Sequence, residues 1–176
     1  MGLAQDVLKL AKYIAAVKNN SAFKFEFAAY GKCKDMFFAE IEHKQIHNVH
    51  DAGFMDQSIY DKFISRADMA IVSVSSKIAG LASPSKFCSY ISLGIPVLFI
   101  GPDSMEVAKD IIKYNAGIVI SNTNELNKQL LSIYNNQTQL TTMGKGAEKL
   151  FIDKYTLDKC VTKYIDVIKS LSKDSL

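Results

Sequence analysis

Apolar residues recur along the chain with two different periods. In LAQDVLKLAKYIAAV, near the start, they return every three or four residues, which predicts an amphipathic helix. In FKFEFAAYG, phenylalanines alternate with Lys24 and Glu26, which predicts a strand that ends at Gly31. Three later runs, AIVSV, PVLFI and GIVI, are apolar throughout and have the length of strands buried on both faces.

The two periods continue to alternate as far as residue 134, and two more helical stretches finish the chain. Ser58 and Ser104 are predicted to cap helices at their N-termini. Pro84 is expected at the first position of a helix that opens with Ser83, and Gly94 is expected to end it. The pattern predicts helices over residues 3–17, 34–44, 58–67, 83–93, 104–115, 122–134, 138–151 and 156–171, and strands over residues 23–31, 46–53, 68–75, 96–100 and 117–120.

Regular alternation of strands and helices is typical of one fold class. Because several strands are apolar on both faces, they predict a parallel sheet that helices cover on both sides. No repeat and no linker-like stretch interrupts the pattern. We therefore predict a single α/β domain with a Rossmann-like, doubly wound parallel sheet. In such sheets ligands bind beyond the carboxyl ends of the strands.

Composition narrows the choice of partner and compartment. With 176 residues, 48% of them hydrophobic, the chain can bury a core and is not a disordered sequence. A net charge of +3 and lysines spread along the chain do not favour nucleic acid. Cys33, Cys88 and Cys160 lie far apart and form no CxxC pair, which fits a reducing compartment. No apolar run approaches the ~20 residues of a membrane span.

Three histidines, at 43, 47 and 50, are the only local hint of a metal site. Spaced at four and three residues, with Asp51 adjacent, they could share one face of a helix and bind metal. However, IHNVHDAGF fits a strand better than a helix, and in a strand these positions diverge. We therefore expect no metal site. Catalytic signatures such as HExxH and GxSxG are absent from the sequence.

Lys86 occupies an unusual place in the segment SPSKFCSYISLGIPVLFIGP. It falls in the first turn of the predicted helix, where the aligned peptide dipoles place about half a unit of positive charge. Either the lysine points into solvent, or an anion binds there and uses both the lysine and the helix end. The dipole also accounts for Glu106 in the first turn of the next helix without any ligand.

The same segment resembles a known family. Pro84, Ser85 and Lys86, a helix, and then Gly94, Pro96 and Val97 leading into a strand are similar to the nucleotide-sugar-binding half of GT-B glycosyltransferases of the family 4-like group. The helix GLAQDVLKLAKYI, the stretch IYDKFISRADMAIVSV with its Ala-Asp pair, and IIKYNAGIVI fall in the order expected of that family. The resemblance covers nearly the whole chain, and its strength lies in the order and spacing of motifs that are individually weak.

The resemblance implies which domain of a larger enzyme the chain forms and which reaction that enzyme catalyses. It implies that residues 1–176 form the C-terminal donor-binding domain of a two-domain enzyme, with the N-terminal acceptor domain and the first strand of the sheet outside this sequence. The implied reaction transfers a sugar, with retention at the anomeric carbon, from a nucleotide-diphosphate donor to an acceptor in bacterial cell-surface polysaccharide or glycolipid synthesis. The chain alone is expected to be inactive.

The implied donor site centres on the start of the helix at Lys86. The donor diphosphate is expected at Ser83, Ser85 and Lys86, where backbone N–H groups, a hydroxyl and a mobile cation meet. The catalytic residues stay unassigned. Weaker candidates for contact with the nucleotide or the sugar are Gly2, Gly31, Leu81, Ser89 and Glu106.

The chain departs from the family's pattern at the donor site. The family has two glutamates about two helical turns apart, and the matching positions here are Leu81 and Ser89, neither of which is acidic. The expected Gly-x-Gly turn is Gly31, Lys32, Cys33, with one glycine lost. An alternative function is therefore a non-catalytic Rossmann-like binding module that has lost the acidic residues. A response-regulator or dinucleotide-binding domain is disfavoured, because no acidic cluster follows the first strand and no GxGxxG occurs.

The resemblance also sets expectations for partners and location. It implies a nucleotide-sugar as substrate, no cofactor and no nucleic acid. A cytoplasmic location is expected, with peripheral association of the full-length enzyme at the inner face of the membrane as a further expectation.

Overall fold

The computed structural model describes residues 6–81 and 84–173. Helices and strands alternate as far as the sixth helix, as the apolar periods predict, and two further helices follow. The strands are β1 (Phe25–Phe27), β2 (Val49–Asp51), β3 (Ala70–Ser73), β4 (Val97–Ile100) and β5 (Gly117–Ile120). The helices are α1 (Val7–Ala15), α2 (Lys34–His43), α3 (Gln57–Ile64), α4 (Ser85–Ser92), α5 (Glu106–Tyr114), α6 (Thr123–Tyr134), α7 (Gln137–Leu150) and α8 (Leu157–Lys173).

The strands form two parallel sheets. In one, β1 pairs with β2, with Phe25 opposite Val49. In the other, β4 lies between β3 and β5, with Val97 opposite both Ala70 and Gly117. Among the described strands, β1 and β3 form no ladder with each other, so each has an edge that no described strand covers.

Helices cover both faces of these sheets. A large apolar core joins α1, α2 and α6 to side chains from both sheets, among them Phe25 of β1, Leu98 of β4 and Ile120 of β5. A second core on the opposite face joins α4, α5 and α7 to Val72 and Phe99. One helical layer therefore spans both sheets, and the predicted α/β doubly wound domain is confirmed.

The direction of α1 shows how the two sheets are oriented. Near its start, Lys9 lines a small pocket together with Ser121, which lies just beyond the carboxyl end of β5. After its end, the Asn48 amide, just before β2, donates to the Val17 carbonyl at 3.3 Å. Helix α1 thus runs from the carboxyl edge of one sheet to the amino edge of the other. The strands of both sheets therefore run the same way, opposite to α1.

Three predicted helix starts are wrong by one or two residues. Asp56 rather than Ser58 caps α3, because the Asp56 carboxylate reaches the Ile59 N–H at 2.9 Å and a carboxylate is the better acceptor. Helix α5 begins after Met105 rather than Ser104, without a side-chain cap. Pro84 is the N-cap of α4 rather than its first residue, since its ψ of 104° is extended.

Helix α8 differs from the others in its surroundings. A π-helical turn, Phe151–Tyr155, leads into it, and its apolar residues stay exposed. These side chains form an apolar stripe along the helix. No helix in the described ranges has the length and apolar character needed to cross a membrane. The exposed stripe comprises Leu157, Val161, Tyr164, Ile165, Ile168 and Leu171.

Candidate functional site

A cavity of about 1240 Å³ separates β1 from β3. Residues before β1, such as Lys24, line its amino end, and Gly31, after β1, lines its carboxyl end. Helices α3 and α4 border it on one side, and α6 on the other. The cavity therefore runs along the full length of β1 and the first half of β3, and beside Gly31 it reaches the carboxyl edge, where ligands of parallel α/β sheets bind. We call this opening, lined by Tyr30, Gly31, Phe54, Tyr60 and Lys86, the mouth.

Lys86 is exposed, and its side chain lies at the mouth. It lies in the first turn of α4, and its ammonium is 4.3 Å from the centroid of the Tyr60 ring. No carboxylate in the described part of the chain lies within 4.0 Å of this ammonium. The negative face of the aromatic ring holds the cation at the site without neutralising it. The positive charge stays available to an anion.

Two tyrosines support this lysine. The hydroxyls of Tyr60 and Tyr90 lie 3.2 Å apart, which fixes the ring beneath Lys86. Burial raises the pKa of Tyr90 well above its usual value, and the hydrogen bond with Tyr60 raises it further. Both effects favour the neutral phenol, so Tyr90 adds no negative charge that would compete for Lys86 at physiological pH.

The start of α4 offers backbone donors beside the lysine. Pro84 has an extended backbone and provides no side-chain cap, so the first-turn N–H groups of Ser85 and Lys86 have no acceptor within the helix. The Ser85 side chain is exposed next to them. Ser83 and Gly2 lie outside the described residues. Of the three residues predicted to bind diphosphate, the structure places Ser85 and Lys86 together in one turn.

The weaker candidates are scattered. Gly31 lines the mouth and has a φ of 98°, a conformation that favours glycine. Leu81 is 83% exposed, Ser89 is exposed on α4, and neither lines the cavity. Glu106 is bound to Lys154 at 3.1 Å, away from the cavity. The structure brings Gly31 to the opening with Lys86 and leaves the other three apart from it.

Two exposed aromatic residues at the mouth were missed by the sequence analysis. The rings of Tyr30 and Phe54 meet edge to face, with centroids 5.8 Å apart, and Phe54 is 75% exposed. Each adjoins a glycine with positive φ, Gly31 or Gly53, just past the end of β1 or β2. An aromatic residue beside a glycine after a strand is the signal that could have found them.

The histidines lie where the strand interpretation puts them. His43 is the last residue of α2, whereas His50 is within β2. The described residues contain no group of three histidine, cysteine or acidic side chains placed to hold a metal ion. Asp51 instead pairs with Lys34 at 2.7 Å. Although burial opposes the change, the contacts with Lys34 and the Gly53 N–H lower the pKa of Asp51.

Known proteins resemble this chain in fold but not detectably in sequence family. No protein-family model matches the chain, and no curated protein does. Among solved structures, a variant of S. aureus TarM in complex with Fondaparinux, alpha-GlcNAc-glycerol and UDP is similar, with a TM-score of 0.75 and 21% identity over 94% of this chain and 33% of that one. WaaG, a glycosyltransferase involved in lipopolysaccharide biosynthesis, gives a TM-score of 0.66 and 18% identity, over 86% of this chain and 40% of that one.

A third structure matches over most of its own length. The C-terminal domain of the group 1 family glycosyl transferase LpcC from Francisella tularensis has a TM-score of 0.67 and 10% identity, over 89% of this chain and 83% of that one. The chain spans only 33% of TarM and 40% of WaaG. These likenesses confirm the resemblance at the level of the fold: the chain has the Rossmann-like architecture found in GT-B glycosyltransferases.

Proposed function

We propose that the chain binds a nucleotide-diphosphate sugar and is the donor-binding half of a glycosyltransferase. The observation that carries the proposal is Lys86, which lies in the first turn of α4, at the mouth, without a carboxylate partner among the described residues. A cation at the positive end of a helix is unfavourable until an anion binds both. A diphosphate has the charge and the multiple oxygen acceptors for this position.

The surroundings of Lys86 suit the rest of such a donor. Exposed backbone N–H groups at Ser85 and Lys86 can donate to phosphate oxygens, and the lysine adds a mobile charge without fixed geometry. The exposed Phe54 ring offers an apolar face on which a nucleobase can stack. The cited TarM structure, which contains UDP, shares the fold and so supports this class of ligand.

The wider activity follows from the family resemblance. Sugar transfer would proceed with retention at the anomeric carbon, in cell-surface polysaccharide or glycolipid synthesis, against an acceptor held by an N-terminal domain. The isolated chain would bind donor without turnover. No metal or other cofactor would be required, so chelation with EDTA should leave binding unchanged. The full-length enzyme would work in the cytoplasm, with peripheral contact at the inner face of the membrane.

A second candidate function is a binding module without catalysis. Leu81 and Ser89, which stand where the family has glutamates, favour it, because Leu81 cannot bind a sugar hydroxyl and Ser89 is a weaker, neutral partner. Under this alternative the chain keeps the fold and no longer recognises the transferred sugar. UDP-sugar and UDP would then bind equally, whereas a donor site binds the sugar nucleotide differently from UDP.

Calorimetry with uridine and guanosine diphosphates tests the proposal. Lys86→Ala should weaken binding of the preferred nucleotide by about 1–3 kcal/mol, the range for a hydrogen bond to a charged group. Lys62→Ala is the matched control, because Lys62 is exposed on the neighbouring helix α3 and does not line the cavity. If wild type and Lys86→Ala bind with equal affinity, or if Lys86→Ala and Lys62→Ala lose the same affinity, Lys86 does not contact the diphosphate.

A further inference from the structure

Helix α8 is buried most at its first turn, and the side chain found there is a thiol. Among residues 157–171, whose side chains the structure describes, Cys160 alone is half-buried and all the others are exposed. Its thiol donates to the Lys154 carbonyl, 3.9 Å away, in the π-helical turn that precedes α8. Cys160 therefore lies where α8 joins the rest of the domain.

A second cysteine lies on the helix that contacts this π-helical turn. Cys88, on α4, is half-buried and packs against the core that α4, α5 and α7 share, as does Tyr155 of the turn. The ring of Phe87, the residue before Cys88, meets the Tyr155 ring edge to face, with centroids 5.4 Å apart. Helix α4 and the turn that leads into α8 are thus in direct contact beside both cysteines.

The two thiols are close enough to influence each other. Burial raises the pKa of the Cys88 thiol, and the Cys160 thiol raises it further, because two negative charges in proximity repel. Cys33, in contrast, is buried in the other core, with α1 and α2, on the opposite face of the sheets. All three cysteines are free thiols, and two of them form a pair in space.

We propose that Cys88 and Cys160 are a redox-sensitive pair that forms a reversible disulfide with glutathione disulfide as the oxidant, and that this bond fastens the first turn of α8 to α4. A disulfide requires the two α-carbons to lie within about 7 Å of each other. Because α8 is exposed beyond Cys160, little packing opposes a shift of its first turn towards α4. This proposal does not depend on nucleotide binding at the mouth.

A reducing compartment, which the cysteine pattern favours, keeps such a pair as thiols at rest and makes the disulfide a transient response to oxidation. One cysteine thiolate attacks a sulfur of glutathione disulfide, forms a mixed disulfide and releases one glutathione. Since Cys88 holds its proton more tightly than an ordinary cysteine, Cys160 makes this first attack.

The second step closes the bond between the two helices. The Cys88 thiolate attacks the Cys160 sulfur of the mixed disulfide, forms the Sγ–Sγ bond and releases the second glutathione. The two cysteines lose two electrons, which reduce one glutathione disulfide to two glutathiones, and the two thiol protons end on the glutathione sulfurs. Excess glutathione reverses both steps.

Mass spectrometry of the oxidised chain tests the proposal. Wild type is equilibrated with glutathione disulfide, and the remaining thiols are alkylated after unfolding. We expect a monomer that has lost two hydrogens, keeps one alkylatable thiol at Cys33, and yields a peptide pair that joins Cys88 to Cys160. In Cys88→Ser and in Cys160→Ser the remaining partner should carry one glutathione instead, because no second thiol displaces it. Cys33→Ala is the matched control and should form the disulfide as wild type does.

Amide hydrogen exchange shows whether the bond fastens α8. Exchange at residues 161–164 should slow by about tenfold when wild type is oxidised, and dithiothreitol should restore it, whereas Cys160→Ser under the same oxidant should not change. A wild type that keeps all three thiols, or that carries only glutathione, would overturn the proposal, and so would a disulfide that includes Cys33. A dimer linked through Cys160 of two copies would also overturn it, as would a Cys88–Cys160 bond that leaves this exchange unchanged.

Discussion

The ammonium of Lys86 lies 4.3 Å from the centre of the Tyr60 ring, across the mouth of the cavity from α4 to α3. This contact explains how a lysine is tolerated at the positive end of a helix dipole. The negative face of the ring offsets part of the repulsion, by about 0.5–1 kcal/mol for such contacts at exposed sites. It also holds the charge at the mouth before any ligand binds.

A double-mutant cycle measures this contact. Lys86→Ala, Tyr60→Leu and the double variant are unfolded with urea without ligand. We expect a coupling free energy of about 0.5–1 kcal/mol, because each single change removes the same cation–π pair. Tyr60→Phe is the control, since it keeps the ring under Lys86 and removes only the hydroxyl contact with Tyr90. Additive losses for Lys86→Ala and Tyr60→Leu would show that the ring does not hold the lysine.

Phe54 allows the base and the diphosphate to be tested separately. We expect Phe54→Ala to weaken uridine diphosphate binding by about 1–3 kcal/mol, the usual loss when a stacked base loses its aromatic partner. Pyrophosphate, which has no base, should bind the variant as it binds wild type. Ile59→Ala is the control, because Ile59 is also exposed and apolar on α3 but does not line the cavity. Equal losses for both ligands would argue against stacking on Phe54.

The sequence predicted the order of elements because period and length are local properties. The continuous apolar runs became β3, β4 and β5, and the alternating FKFEF became the half-buried β1. The helix caps were harder to predict, because two oxygen-bearing residues, Asp56 and Ser58, compete within one short stretch and only geometry decides between them. Their side chains lie 2.9 Å apart, and the carboxylate takes the cap.

The site was only partly predictable. Lys86 stood out because its charge conflicts with a helix end, a conflict visible in sequence. Its aromatic partner Tyr60 is 26 residues earlier, on another helix, and no local pattern joins the two. Glu106 suited a helix start by itself, and only the fold shows that Lys154, from a turn 48 residues away, takes its carboxylate.

Gly117 tests the close packing of the larger sheet. Its φ is 149°, and a β-carbon there would overlap the backbone of Val97 in the neighbouring strand. We expect Gly117→Ala to lower the free energy of unfolding by about 3 kcal/mol, the upper range for overpacking. Gly53→Ala is the matched control, because Gly53 also has a positive φ, 74°, but open space around it. Urea unfolding measures both variants. If Gly117→Ala and Gly53→Ala lose the same free energy of unfolding, the loss comes from backbone strain at a positive φ and not from overlap with Val97.

The apolar stripe of α8 predicts self-association of the chain. Exposed apolar patches of this kind mark interaction surfaces. Light scattering should show an apparent mass that rises with concentration for wild type and stays monomeric for Ile168→Lys. Thr162→Lys, which adds the same charge on the polar side of α8, should associate like wild type. A monomeric wild type at all concentrations would contradict the prediction.

Unfolding at alkaline pH should report on the cluster of Asp110, Lys154 and Tyr155, which lies away from the cavity. Asp110 is 2% exposed and accepts hydrogen bonds from Lys154 at 2.5 Å and from the Tyr155 hydroxyl at 2.7 Å. Burial, followed by the bond to Asp110, raises the pKa of Tyr155 above its usual 10.0. For Lys154, burial acts in the opposite direction, but the bonds to Asp110 and Glu106 prevail and raise the pKa above 10.5.

Both groups hold their protons more tightly in the folded chain than in the unfolded one. Their contribution to stability is therefore complete below pH 10.0 and is lost as the pH rises through the folded pKa values. We expect Tyr155→Phe to lower the free energy of unfolding at neutral pH by about 1.5–3 kcal/mol, as for a lost bond to a charged group, and to make its decline above pH 10.0 shallower. Tyr164→Phe, on the exposed face of α8, should change neither quantity. Urea unfolding from neutral to alkaline pH measures both, and an alkaline decline as steep in Tyr155→Phe as in wild type would show that Tyr155 does not hold its proton through Asp110.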